Sequence, residues 1–395
     1  MNMTRRHWSI LGVLGGAALM NLAACGDDTG VGGSGGGGAP AGGSIVITAS
    51  GESLSLGGYG FPPASQDDPA FVDGWEVKFT RLLVTVDKIT LSETPDLDPG
   101  DQAKTGSLVA QVDGPFAVDL HKGGPLPGKG GSDEQAVEIA VVENQNKNGG
   151  AAFAADTRYA LGFDVIAAAA SAKQVNLDDA GKADYQIMID QGYTVLYVGT
   201  ATWKGTGCTP ADPYFDTLPK VVDFKLGFKA PATYLNCQNP DNAPAEPLGG
   251  EEHLRGVVVK ANQAVTAQLT IHTDHPFWDS SIHDAAAHFD MFAARKVGAT
   301  GTPLVTLEDL KGVDPTAITD SQNMPVPWRS CTETYALPSG SQMSFDTGGV
   351  PVNPGGDPSK VFRDMYDFAT YNLSTQGHLN ADGLCAVKRH YPSPF

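Results

Sequence analysis

The sequence predicts a mainly β protein: an antiparallel β-sandwich with a smaller C-terminal part made of helix and loop. Three observations carry this. Short apolar runs alternate with Gly-, Pro- and Asn-rich breaks such as Gly123-Gly124-Pro125 and Asn239-Pro240-Asp241, the spacing expected of many short strands joined by turns. Several runs alternate apolar and polar residues with period two, most cleanly Val222, Phe224, Leu226 and Phe228 against Asp223 and Lys225. Helical stripes are confined to the C-terminal third, and the chain contains no internal repeat.

Taken in order, Ser44–Leu56 is rich in Ile, Val, Ser and Thr and reads as the first strand. Trp75–Leu91 is longer. Trp75, Val77 and Phe79 share one face, Leu82, Val84 and Val86 take the opposite parity, and Ile89 and Leu91 switch it back. Side chains on a strand alternate strictly, so each change of parity predicts a bulge or a bend. Further strands are predicted at Leu108–Val112, Phe116–Leu120, Val137–Val142, Tyr159–Ile166, Tyr185–Ile189, Thr194–Thr202 and Val221–Phe228. Leu254–Val259 and Val265–Ile271 read as a hairpin. In its second strand Val265, Ala267, Leu269 and Ile271 face the core and Thr266, Gln268, Thr270 and His272 face away. Pro276 stops the ladder because it has no N–H to donate. A helix is predicted over 279–295, with Ile282, Ala286, Phe289 and Ala293 as its stripe. A second is predicted from Pro358 to about Leu373, with Asp357 in the capping position.

The N-terminus sets the compartment. Arg5 and Arg6 precede an apolar run from Trp8 to Leu19 that is short for a membrane span and has the layout of an export signal. It leads into Leu22-Ala23-Ala24-Cys25, which resembles the lipobox of bacterial lipoproteins. That resemblance implies cleavage after residue 24, lipidation of Cys25 with acyl chains such as palmitate, and a protein anchored to the outer membrane or cell surface with the remainder in solution. Residues 25–43 are Gly/Ser-rich and read as a tether. The expected organisation is therefore a signal peptide over 1–24, the tether over 25–43, the sandwich over 44–275 and the helix-and-loop part over 276–395. The formal charge of −19 becomes −21 without the signal, 24 basic against 45 acidic residues, since the signal holds two arginines and no acid. So acidic a surface excludes nucleic acid as a partner and leaves the membrane, through the lipid anchor, and an envelope protein or glycan.

Four further cysteines, Cys208, Cys237, Cys331 and Cys385, make an even set in an exported chain, as two disulfides require. Three pairings are open, and local closure favours Cys208–Cys237 with Cys331–Cys385. No pair of these cysteines has the close spacing of a structural zinc site.

Chemistry concentrates between His272 and Asp290, which hold four of the nine histidines, four aspartates and one of the five tryptophans. A transition-metal site needs imidazole or carboxylate donors converging on one ion. His272 and His275 at the end of a strand, His288 on the following helix, and Asp284 one helical turn before His288 are the candidate ligands, with copper and zinc the candidate ions. Calcium fits poorly. His378-Leu379-Asn380-Ala381-Asp382-Gly383 has part of the spacing of a calcium loop, but His378 and Arg389 stand where acids are needed. The only Gly-x-Ser-x-Gly, at 32–36, lies in the tether, and there is no HExxH, phosphate-binding glycine loop or dinucleotide fingerprint. No catalytic residue set is therefore assigned. The expected function is non-catalytic binding of a transition metal. The alternatives are a glycan- or protein-binding surface module, with Tyr193, Tyr197 or Trp203 stacking on sugars, and a metal-dependent hydrolase.

Overall fold

A computed structural model describes residues 42–131, 133–242, 251–282 and 285–394. The export signal, Cys25, all but the last two residues of the tether, His283 and Asp284 lie outside the described residues. The strands are β1 (Ser44–Ser50), β2 (Trp75–Ser92), β3 (Leu108–Val112), β4 (Phe116–Asp119), β5 (Leu126–Pro127), β6 (Gln135–Val142), β7 (Thr157–Val165), β8 (Lys173–Gln174), β9 (Val195–Trp203), β10 (Val221–Phe228), β11 (Ala232–Leu235), β12 (Val257–Val259), β13 (Ala264–Ile271), β14 (Leu304–Thr306), β15 (Gly377–Leu379), β16 (Gly383–Leu384) and β17 (Ala386–Arg389). The helices are α1 (Glu52–Gly57), α2 (Asp179–Gln191), α3 (Asp290–Ala293) and α4 (Met365–Leu373). The protein is mainly β, as the sequence predicts, with few helices.

The strands form two sheets. The smaller has the order β16-β15-β13-β1-β6-β5. The larger runs β14-β10-β9-β2-β7-β11-β17, with β3 and β4 also paired to β2, β12 to β7, and β8 to β4. Pairing is antiparallel except for β1 with β13, β10 with β14 and β4 with β8. Ile45, Ile47, Ala267, Leu269 and Ile271 of the smaller sheet share one apolar core with Phe79, Tyr197, Phe224 and Phe228 of the larger. Burying each of the Ile, Leu and Phe side chains contributes roughly 1.5–3 kcal/mol, so this core supplies the main driving force.

β2 is the spine of the larger sheet and has the two irregularities its parity pattern predicts. Its register against β9 shifts between Phe79 and Arg81, and against β7 between Asp87 and Thr90. The bulges keep Trp75, Val77, Phe79, Leu82, Val84, Val86, Ile89 and Leu91 all buried although they change parity.

Four local expectations are corrected. Tyr185–Ile189 belongs to α2, not to a strand: Asp178 caps that helix through Gly181 N, and left-handed Gly192 ends it. β12 and β13 do not pair with each other. β12 pairs with β7 and β13 with β1, so the tight turn between them is a corner linking different strands. The helix expected over 279–295 is reduced to α3 and a 3₁₀ turn over Ala294–Lys296. Asp279 takes the reason for this on itself. Its N–H donates to Ala286 O at 2.9 Å and its carboxylate accepts from Ala286 N at 3.2 Å, closing a loop where a helix would need i to i−4 bonds. The later helix starts at Met365, capped by Asp364 through Asp367 N, while Asp357 closes a turn with Ser359.

The disulfides are Cys208–Cys331 and Cys237–Cys385, not the local pairs. Each joins segments that the sheets bring together across more than a hundred residues. Thr209 bridges Ser330 beside the first, and the second lies where β11 meets β17. β14 to β17 likewise carry the chain beyond residue 276 back into both sheets.

Candidate metal centre

The site begins at the end of β13. Ala267, Leu269 and Ile271 enter the core, and Gln268, Thr270 and His272 take the other face. That face is covered, not wet. Gln268 is fully buried: its Nε2 donates to Glu134 Oε1 at 2.6 Å and to Thr270 Oγ1 at 2.9 Å, and its Oε1 accepts from Lys129 N at 3.0 Å. Thr270 Oγ1 also accepts from Ala381 N at 3.0 Å, which ties the β15–β16 turn to the sheet.

β15 lies antiparallel to β13 with His378 opposite Thr270. The ladder extends one residue further, as His272 N donates to Gln376 O at 3.0 Å. His272 and His378 are thus diagonal neighbours on one face, within reach of long or ring-bearing side chains. Their imidazoles stack with centroids 3.9 Å apart and planes 8° from parallel. His275 opens the 3₁₀ turn His275–Phe277 and stands edge-on to both, 5.4 Å from His272 and 5.7 Å from His378. One ligand atom from each of the three rings lies within 4.8 Å of the others.

His275 is firmly oriented. Its Nδ1 lies 2.7 Å from Thr375 Oγ1, and that hydroxyl donates its one proton to Asn372 O at 2.8 Å. The imidazole must therefore donate through Nδ1–H, which leaves Nε2 as the lone-pair nitrogen of the neutral ring. Trp278 covers the ring at 3.8 Å between centroids, with its own Nε1 donating to Asp274 Oδ2 at 3.1 Å. α4 packs against this turn.

His275 and His378 are buried, and His272 lies at the solvent edge. There its Nε2 is 3.4 Å from Glu52 Oε1 and 3.3 Å from Ala381 O. Glu52, His272 and exposed Asp382 form a second group of donors within 4.8 Å of one another. Burial pushes the Glu52 carboxyl up to about 7, with His272 opposing and Asp274, Asp382 and Glu134 adding to the rise. The backbone around this mouth is strained: Glu52 has φ 61°, Asn380 51° and Ala381 71°, a region costly for residues with a Cβ.

His288 is elsewhere. Its Nε2 lies 3.2 Å from Asp279 Oδ2, which also accepts from Tyr335 OH at 2.6 Å. Its Nδ1 faces Asp73 Oδ2 at 3.8 Å, and its ring packs among Trp328, Tyr335 and Phe345. Asp73 accepts from the N–H groups of Phe289 and Asp290, both at 2.7 Å. Asp290 in turn takes Trp75 Nε1 at 2.8 Å and the Arg329 guanidinium, whose Nε is 2.7 Å away. Arg329 lies over the rings of Trp203 and Phe215. Burial, then Asp290, pushes Asp73 up to about 7 against the pull of His288 and Arg329. Asp279 is held below the usual carboxylate range despite its burial, by the hydrogen bond and charge of His288 and by the hydrogen bond from Tyr335.

The structure thus brings His272 and His275 together, places His288 in a separate polar cluster, and supplies His378 as the third imidazole. Glu52 and Asp382 are the other near donors that sequence reasoning did not select. For His378 the available signal was its place beside the turn at Asn380-Ala381-Asp382-Gly383; for Glu52 there was none. Tyr197 is fully buried and presents no stacking face for a sugar; Trp203 is half-buried, with Lys220 Nζ over its ring at 4.2 Å and Arg329 at 4.8 Å. The chain matches no protein-family model, no curated protein and no solved structure.

Proposed function

We propose that this is a lipid-anchored protein of the cell envelope that holds a transition-metal ion, copper or zinc, on His272, His275 and His378. The convergence of three imidazoles at the end of β13 carries the reading. Imidazole nitrogen suits both ions, and His275 is held by Thr375 in the tautomer a ligand requires. The expected envelope location is supported by Leu22-Ala23-Ala24-Cys25 and by two disulfides, which persist in oxidising compartments. Among the described residues no helix is long and apolar enough to cross a membrane.

The proposed role is retention of the ion. The lone pairs of parallel stacked rings lie in parallel planes and do not converge on a point about 2 Å from both nitrogens. Loading therefore requires His272 and His378 to splay, and His272, at the solvent edge, has the room.

The test is the metal content of protein purified without a His-tag and dialysed against excess Cu²⁺ or Zn²⁺. About one equivalent is expected for the wild type and for His288→Ala, and a loss of tenfold or more in affinity for His378→Ala. Equal metal content in the wild type and in a variant lacking all three imidazoles would overturn the reading.

A further inference from the structure

The two donor groups at the end of β13 share one residue. His272 belongs with His275 and His378, which are buried, and equally with Glu52 and Asp382, of which Asp382 is exposed. We infer that Glu52, His272 and Asp382 form an outer capture position for a divalent cation, from which His272 carries the ion inward to His275 and His378. This rests on the metal-binding reading above, and adds a route and an order of events to it.

Several observations lead here. The inner imidazoles are buried: Trp278 stacks on His275, α4 packs against the His275–Phe277 turn, and the Gln268–Glu134 network lies under the β15–β16 turn. The partly exposed part of the cluster is where His272 meets Glu52 at 3.4 Å, with Asp382 exposed at the surface. An arriving cation therefore meets carboxylates before it meets the inner rings. Two carboxylates and one imidazole accept a hard or borderline divalent ion, whereas three imidazoles favour copper and zinc.

His272 is also the ring that must turn. Its stacking on His378 is incompatible with both rings binding one ion, and it is the most exposed of the three. An ion held by His272 and two carboxylates can exchange the carboxylates one at a time for His275 and His378 without being released. Because the pivot is shared, the two positions are occupied in turn, and the total remains one ion. The acidic mouth also concentrates cations by its field, an effect on rate more than on affinity.

The test is the rate of Zn²⁺ uptake by full-length protein, followed by stopped flow against a chromogenic chelator. In Asp382→Asn, a surface change that leaves the core untouched, uptake is expected to slow several-fold while one Zn²⁺ is still bound at the end point. In Glu52→Gln/Asp382→Asn it should slow about tenfold or more, with the difference shrinking at high salt. Asp67→Asn, an exposed acid elsewhere, should leave the rate unchanged. His378→Ala should keep the rapid first phase and then lose its ion to the chelator. Wild-type rates in both mouth variants, with one ion still bound, would overturn the route and leave the metal-binding reading intact. Absence of Zn²⁺ binding in the wild type would overturn both.

Discussion

Two buried polar clusters sit at opposite ends of the same short stretch of chain, and they solve opposite problems. At the far end His288, Asp73, Asp279, Asp290 and Arg329 form a compensated set. Each carboxylate meets a cation, a backbone N–H or a hydroxyl, and aromatic rings close over the whole. At the near end His272, His275 and His378 bring three imidazoles together, with Glu52 and Asp382 beside His272. Compensation in a closed space makes a structural joint. Three imidazoles gathered beside two carboxylates are the proposed receptor for a cation. The sequence carries two histidines toward each end of this stretch, so composition alone does not separate the clusters; partners and access do.

The sharpest way to break the comparison is to unpair the joint. Arg329→Ala leaves Asp290 buried without its cation and strips the packing of Trp203 and Phe215, and it should cost about 3–5 kcal/mol in urea unfolding. A cost under about 1 kcal/mol would mean that the joint is not structural. The next effect belongs to the receptor. With free Zn²⁺ at a hundred times its dissociation constant, the wild type should gain about 2.7 kcal/mol over the chelated protein, and His378→Ala should gain far less.

A third prediction uses pH to separate the clusters. Asp73 has its carboxyl raised from its ordinary value to about 7 by burial and by Asp290. A raised acid contributes stability that is fully present below its unfolded value, near 4, and is lost as pH rises through its folded value. Asp73→Asn keeps an acceptor for the N–H groups of Phe289 and Asp290 and cannot ionise. Its stability relative to the wild type should therefore rise steadily from pH 4 to pH 7 and level off above, as read by denaturant titration at each pH. A flat difference would contradict the assignment. The smallest effect is expected at the mouth. Ala381 sits at φ 71°, where a Cβ costs roughly 1–2 kcal/mol, so Ala381→Gly should stabilise the protein by up to about 1 kcal/mol once the greater freedom of glycine in the unfolded chain is subtracted.

What the sequence made legible was local and periodic. The parity changes in Trp75–Leu91 announced both bulges of β2 because side-chain alternation is a property of neighbouring residues. The alternation of Val265–Ile271 likewise put His272 off the core face, beside the turn bearing His275. The third imidazole was not legible, because His378 reaches the site through a strand pairing formed across about a hundred residues. The same non-locality hid Glu52 and both disulfide pairings. The apolar stripe at Ile282, Ala286, Phe289 and Ala293 suggested a helix bearing His288, but Asp279 spends its hydrogen bonds on Ala286 and holds that segment as a loop. His288 consequently turns toward Asp73 and Asp279 instead of toward His275.

The most direct test of the account is an anomalous-scattering map from crystals of the untagged protein loaded with Zn²⁺. One peak is expected about 2 Å from a ring nitrogen of each of His272, His275 and His378, with their stacking opened and His288 still on Asp279. A peak at His288, or no peak near the end of β13, would contradict it.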